Sequence, residues 1–218
     1  MLTLLIETST ERGIVAIRKN DQLVFQKALP FGYQNAQLLL PTIEEGLSDL
    51  KCSAQDLSLI ASGIGPGSYT GLRIGAMVAK TLAYACQKPL IGICSLETFV
   101  PQTSGRFAAL IDAKIGGVYL LKGDYNQGKI EYLSEALITP LDTLKTWLDD
   151  VEIVVTPNAS RLRPLLESQF PHLQWEENSP SPLRMGFIAL ERWKMGQVNN
   201  DLELLYLRQT QAEIEKQK

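Results

Sequence analysis

The chain has a single histidine, His172, flanked by Pro171 and Leu173 in a polar, proline-bearing stretch. That scarcity excludes H-E-x-x-H centres and any two-histidine metal site, and leaves a Ser-His-Asp triad without a credible base. The three cysteines, Cys52, Cys86 and Cys94, are never spaced as C-x-x-C. Neither a disulfide framework nor a thiolate zinc site follows from them, and a reducing, cytoplasmic location is expected. No run approaches the ~18 apolar residues of a membrane span. The opening run Met1–Glu7 has no basic residue and ends at an acid, so no secretory leader is expected. Positive charge is also short: 21 Lys plus Arg against 24 Asp plus Glu give a net charge of −3. Such a balance supplies no field for gripping a polyanion, so any nucleic acid must be held mainly by a partner.

What is present is an ordinary globular composition, 45% hydrophobic and 21% charged over 218 residues. That length fits one large domain or two small ones. Residues 2–8 (LTLLIET) read as a buried strand feeding the polar Thr8, Ser9 and Thr10. Gly13–Ile17 and Gln22–Leu29 complete a three-strand meander around the Asn20-Asp21 turn. Apolar spacing predicts a helix over Asn35–Leu50, with Pro41 in its first turns or at a kink. Ser53–Asp56 resembles a capping box. Leu57–Ile64 reads as a strand, Thr70–Cys86 as a helix, and Leu90–Cys94 as a strand with Ser95 as the N-cap of a short helix.

The second half repeats the first at an offset of about 105 residues. Leu110-Ile111-Asp112 followed by Gly117–Leu121 echoes Leu5-Ile6-Glu7 followed by Gly13–Ile17. A third strand is expected over Lys129–Ile138, a short helix over Leu141–Leu148, a strand over Glu152–Thr156 and helices over Ser160–Ser168 and Leu183–Met195, the last two separated by a loop from Phe170 to Pro182. A polar tail, Gln209–Lys218, is expected to fray. The duplicated βββαβ order predicts an α/β fold of the actin, Hsp70 and sugar-kinase class with mixed sheets. Residues 1–103 form the first unit and 104–218 a second, degenerate one.

Two features carry candidate chemistry. The first is GPGSYTGLRIG at residues 65–75, where Gly65, Gly67, Ser68 and Thr70 lie between a strand and a helix. A glycine loop opening a helix can hold phosphate on free amides, but the spacing matches neither G-x-G-x-x-G nor a Walker A loop. A tight turn and a ligand loop both remain open. The second is the pair Glu7 and Asp112, one acid at each first-strand end, placed to hold Mg²⁺ through water if both face one cleft. Gly116-Gly117 is a meagre second phosphate loop, so a degenerate site is favoured. Arg161 and Arg163 read as solvated surface. The helix after the glycine loop bears a bare stripe, Gly71, Gly75, Ala79 and Ala83, suited either to its own sheet or to another subunit.

The chain resembles the TsaB (YeaZ) family, a likeness carried by LLIETST at residues 4–10, LLLP at 38–41, GPGSYTGLRIG at 65–75, PLIGICSLE at 89–97, ALIDAKIGGVY at 109–119 and YLR at 206–208. The resemblance implies a glycoprotease-like, actin-type (ASKHA) fold and a non-catalytic subunit. That subunit would bind TsaD and, with the ATPase TsaE, support threonylcarbamoyl transfer to the adenosine beside the anticodon of tRNAs reading codons that start with A. It also implies that the two helices of the first domain make the partner contact, through Leu38, Leu39, Ile43, Gly71, Gly75, Ala76, Ala79 and Ala83. Gly75→Arg or Ala79→Arg is then expected to break the complex and leave the fold intact. The catalytic paralogue's metal-binding histidine pair has no counterpart here, and no metal or cofactor is expected, with ATP, ADP or Mg²⁺ at the partner contact left open. A homodimer is expected only where the partner is absent, tRNA is expected only through the complex, and no membrane contact is expected. Asn35, Ala36 and Leu204 depart from the family pattern, which has His then Ser or Thr, and Pro, at these places. The competing reading is an autonomous ATP-dependent small-molecule kinase or carbamoyl transferase using Glu7, Asp112 and the glycine loop. A glycopeptidase has neither metal ligands nor a triad to support it.

Overall fold

The computed structural model describes residues 1–30, 35–114, 117–198 and 201–208, without the side chains of Asn35 and Ala36. Gly116, the family departures at Asn35 and Ala36 as side chains, and the tail from 209 onward lie outside the described residues.

The first lobe is a five-stranded sheet of order β3-β2-β1-β4-β5, made of β1 (Leu2–Glu7), β2 (Ile14–Lys19), β3 (Gln22–Ala28), β4 (Leu59–Gly65) and β5 (Leu90–Cys94). β1 and β2 are antiparallel neighbours, whereas β4 runs parallel to β1 and β5 parallel to β4. Burial of both faces explains why these strands read as continuous apolar runs rather than alternating ones. Leu4, Ile6, Val15, Ile17 and Ile60 point to one side, into a core with α1 (Asn35–Asp49) and α2 (Tyr69–Cys86). The alternate residues Leu5, Ile14, Ala16, Leu59 and Ala61 point to the other, where they meet Met185, Ile188 and Ala189. Pro41 lies inside helix α1, in its second turn.

The second lobe has strand order β11-β10-β6-β7-β8, with β9 also on β7. Its strands are β6 (Gly105–Asp112), β7 (Gly117–Asn126), β8 (Lys129–Tyr132), β9 (Leu137–Pro140), β10 (Ile153–Thr156) and β11 (Gln174–Glu177). β6 and β7 are antiparallel, and β10 and β11 run parallel to β6 and to each other, so the pairing of the first lobe recurs. The duplicated α/β actin-type plan is therefore present, and the acids at the ends of β1 and β6 are topological equivalents. Helices α3 (Lys145–Leu148) and α4 (Ala159–Leu166) cover one face through Leu144, Leu148, Leu162 and Leu166. Leu96 and Phe99 of the connecting segment cover the other.

Three expected elements differ. The single strand Lys129–Ile138 is two, β8 and β9, because the ten-residue β7 offers an edge that two short strands share: β8 lies along Gly123–Asn126 and β9 along Gly117–Leu120. The expected loop Phe170–Pro182 contains β11, an edge strand of sequence QWEE without an apolar period. Such a strand forms because β10 supplies the ladder, not because its own sequence demands it. Helix α5 (Pro182–Lys194), in the 104–218 part of the chain, packs on the first sheet and covers the face opposite α1 and α2. Among the described residues no helix is long and apolar enough to cross a membrane.

Candidate functional site

Both strand-end acids close the same local turn. A Glu7 carboxylate oxygen accepts the Ser9 N–H at 2.6 Å, and an Asp112 oxygen accepts the Lys114 N–H at 2.8 Å. In each lobe the carboxylate thus replaces water for an amide just past the strand, a local bond that Asp commonly makes and that the longer Glu7 side chain makes here as well. Beyond this shared turn the two acids are in opposite situations.

Glu7 is fully buried. Gly63 of the neighbouring strand leaves the only room it has: a Cβ there would overlap the carboxylate far inside any real van der Waals contact. Burial is the main cause that pushes the Glu7 pKa above the usual carboxylate range, and hydrogen bonding from the Ser9 amide pulls it partly back. Its Oε2 and the Ser9 hydroxyl are buried without a hydrogen-bond partner. Among the described residues no three His, Cys, Asp or Glu side chains come together as a group that could hold a metal ion. Nearby Cys94 offers no nucleophile, since burial, reinforced by Glu97, pushes its thiol pKa up to about 12.

Asp112 is committed to a cation of its own chain. Arg161 donates to it at 2.7 Å, Lys114 Nζ lies 3.6 Å away, and the Asp112 amide donates to Asn158 Oδ1 at 3.1 Å. Arg161 is exposed, as expected, but it is not free: it pairs with Asp112. Arg163, by contrast, makes only the exposed pair with Glu167.

The glycine loop is likewise occupied by its own chain. The Ser68 N–H donates to the Ser9 carbonyl at 2.6 Å, and Ser68 Oγ caps the Gly71 N–H. A Cβ on Gly67 would collide with the same Ser9 carbonyl. Gly65, at φ +104°, donates its N–H to Ser95 Oγ at 3.2 Å, so Ser95 holds the loop and Cys94, not Ser95, takes the N-cap position of the short helical turn. Thr70 is exposed on the first turn of α2. Of the alternatives open for GPGSYTGLRIG, the geometry is that of a tight strand-to-helix turn.

The groups at these two strand ends do not fit the ATP or ADP and Mg²⁺ that the fold class suggests. Ser68 and Gly65 amides that would face phosphate are already bonded, one acid is sealed and the other is paired. The lobes also touch at this end: Arg12 donates to the Pro157 carbonyl and pairs with Glu177 at 3.1 Å, and Lys114 pairs with Glu11.

The bare stripe of α2 faces inward. A Cβ on Gly71 would strike the Thr8 carbonyl and one on Gly75 the Thr8 hydroxyl, while Thr8 Oγ1 donates to the Gly71 carbonyl at 2.8 Å. Ala76, Ala79 and Ala83 are buried in the same core as Leu39 and Ile43 of α1. Of the eight residues expected to meet a partner, only Leu38, 38% accessible, is exposed. Gly71 is half-buried against Thr8, and the other six lie in the chain's own core, which needs small residues where α2 crosses the end of β1. What α1 and α2 show to solvent is instead Leu38, Leu40, Met77 and Tyr84, the last two 65% and 89% accessible. Arg73, Met77, Thr81 and Tyr84 follow one another at helical spacing on that outer face.

A pH prediction follows from Glu7. The folded state holds the Glu7 proton more tightly than the unfolded chain, so its neutral form favours folding below the unfolded pKa. That contribution is lost as pH rises through the folded value. Glu7→Gln keeps an oxygen for the Ser9 amide and removes the buried charge. Thermal denaturation should show the variant more stable than the parent at pH 8, the gap closing towards pH 4. An unchanged gap across that range would contradict the burial argument.

The TsaD family, tRNA N6-adenosine threonylcarbamoyltransferase, matches residues 33–156, more than half of the chain. The tRNA threonylcarbamoyladenosine biosynthesis protein TsaB of Bacillus subtilis (strain 168) is 33% identical over 134 residues, covering 60% of this chain and 58% of the relative. TsaB of Escherichia coli (strain K12) is 36% identical over 124 residues, 55% of this chain and 53% of the relative. The chain thus spans somewhat over half the length of these curated relatives. YeaZ from Pseudomonas aeruginosa shares the fold at a TM-score of 0.79 and 22% identity, over 94% of this chain and 99% of that one. The chain belongs to the TsaD family, tRNA N6-adenosine threonylcarbamoyltransferase, and is similar to TsaB and YeaZ proteins.

Proposed function

We propose that this chain is a non-catalytic subunit of the machinery that forms the threonylcarbamoyl group on the adenosine next to the anticodon of tRNAs reading codons that start with A. In this reading it works in the cytoplasm and binds a TsaD-like catalytic subunit, with a TsaE-like ATPase completing the assembly. The observation that carries the non-catalytic part is the state of the two strand-end acids: Glu7 sealed beneath Gly63, Asp112 neutralised by Arg161. Neither can receive a proton from, or hold a cation beside, a substrate.

The docking part rests on the outer faces of α1 and α2. Exposed Met77 and Tyr84 lie two helical turns apart, and Leu38 and Leu40 lie on α1, which packs beside α2. Large apolar and aromatic side chains left to water on adjacent helices are the anchors that protein interfaces use. An open hollow of about 450 Å³ between Lys80, Tyr84, Lys88 and Val198 continues that face. The chain's net charge of −3 supports a reading in which the tRNA contacts come mainly from the partner. Co-expression with a TsaD-like subunit, followed by size-exclusion chromatography with light scattering, tests the reading. A heterodimer supports it, and a monomer that ignores the partner overturns it. The autonomous kinase or carbamoyl transferase is not favoured, because its site would need the amides and acids that are already occupied.

A further inference from the structure

Residues 201–208 run without regular secondary structure across the ends of β4 and β6, and nearly every one is held. Asp201 pairs with Lys80 of α2, and Leu202 is buried in the core beneath that helix. The Leu205 N–H donates to the Ile64 carbonyl at 2.8 Å, and the Leu205 carbonyl lies 2.9 Å from where a Gly65 Cβ would stand. Tyr206 stacks on Tyr69, the second residue after Gly67, with ring centroids 4.5 Å apart and planes at 20°. Arg73 Nε donates to the Tyr206 hydroxyl at 3.2 Å while its guanidinium sits 4.4 Å over the Tyr69 ring. The strap then changes lobes: Leu207 packs against the core that holds Ile111 and Ala113, and Arg208 donates to the Ala113 carbonyl at 2.9 Å.

We infer that the glycine-rich loop is a binding site for the chain's own Leu202–Arg208 strap, and that this strap is a clasp joining the two lobes across their strand ends. The loop's peculiarities serve the strap. Gly65 leaves space for the Leu205 carbonyl, Tyr69 gives Tyr206 a ring to lie on, and Arg73 grips both rings at once. The strap lies on the Gly65 and Tyr69 side of the loop, and its far end is anchored in the other lobe. This inference does not depend on the docking reading, since every group in it belongs to one chain.

Amide hydrogen exchange on the full chain tests it, comparing the parent with Tyr206→Ala, Arg208→Ala and Tyr206→Phe. Tyr206→Ala should raise exchange in peptides spanning 64–73 at least tenfold, and Arg208→Ala should raise it in peptides spanning 111–119 while leaving the loop near the parent rate. Tyr206→Phe keeps the stack and the Leu205 hydrogen bond, and should stay close to the parent in both segments. Should Tyr206→Ala lose its fold altogether, Arg208→Ala still decides. Alanine variants that fold and exchange like the parent in both segments overturn the clasp.

Discussion

Gly75→Arg and Gly71→Val will each markedly destabilise the isolated protein rather than act at a surface. The new Cβ falls onto the Thr8 hydroxyl at one position and the Thr8 carbonyl at the other. Thr8 cannot retreat, because its own hydroxyl is bonded to Gly71 and the following residue is bonded to Glu7. Overpacking costs about 1–3 kcal/mol even where neighbours can shift, and here the neighbour is partly backbone, so a loss of about 3 kcal/mol or more is expected. A domain holds only about 5–15 kcal/mol in total, and for this size the loss corresponds to a Tm lower by about 6–12 °C. Calorimetry of the purified variants checks this. A Gly75→Arg protein that melts with the parent would mean that α2 does not lie on β1 as described.

The second large effect belongs to the outer face. Replacing Met77 and Tyr84 together by glutamate should leave the free chain within about 0.5 kcal/mol of the parent, since both side chains already stand in water. Binding to the TsaD-like subunit should fall at least a hundredfold. Each buried anchor of an interface is worth about 2 kcal/mol, and a charge carried into the contact without a partner adds to the cost. Titration of the catalytic subunit by interferometry would read the change. Undiminished affinity with both glutamates present would move the contact off α2.

The contrast between these two variants marks where the sequence is legible. The repeat of strand-end acids and the βββαβ order were readable because each depends on local chain properties: apolar runs, turn residues and the spacing between them. The stripe Gly71, Gly75, Ala79, Ala83 was readable as a close approach, but its direction was not. A helix surface with small residues looks the same whether the approaching backbone is β1 or another subunit, and only the position of Thr8 decides. Glu7 and Asp112 looked equivalent for the same reason: what separates them is Gly63 on a parallel strand 56 residues later and Arg161 on a helix of the repeat, both set by tertiary contact. Strand β11 escaped because an edge strand takes its hydrogen bonds from β10 and needs little apolar pattern of its own. Tyr206 and Arg208 were noted only as part of YLR, with no sign that they meet Tyr69, Arg73 and Ala113.

In the proposed reading this chain supports threonylcarbamoyl transfer without contributing chemistry from its own strand-end acids. The most direct test is reconstituted transfer of labelled threonylcarbamoyl to tRNA by the TsaD-like and TsaE-like subunits. It would be run without this chain, with the parent, and with a Glu7→Gln, Asp112→Asn double variant verified as folded. Transfer that requires the chain and proceeds at the parent rate with the double variant is the predicted result. Transfer that the parent supports and the folded double variant reduces a hundredfold or more would return catalysis to this chain and contradict the account.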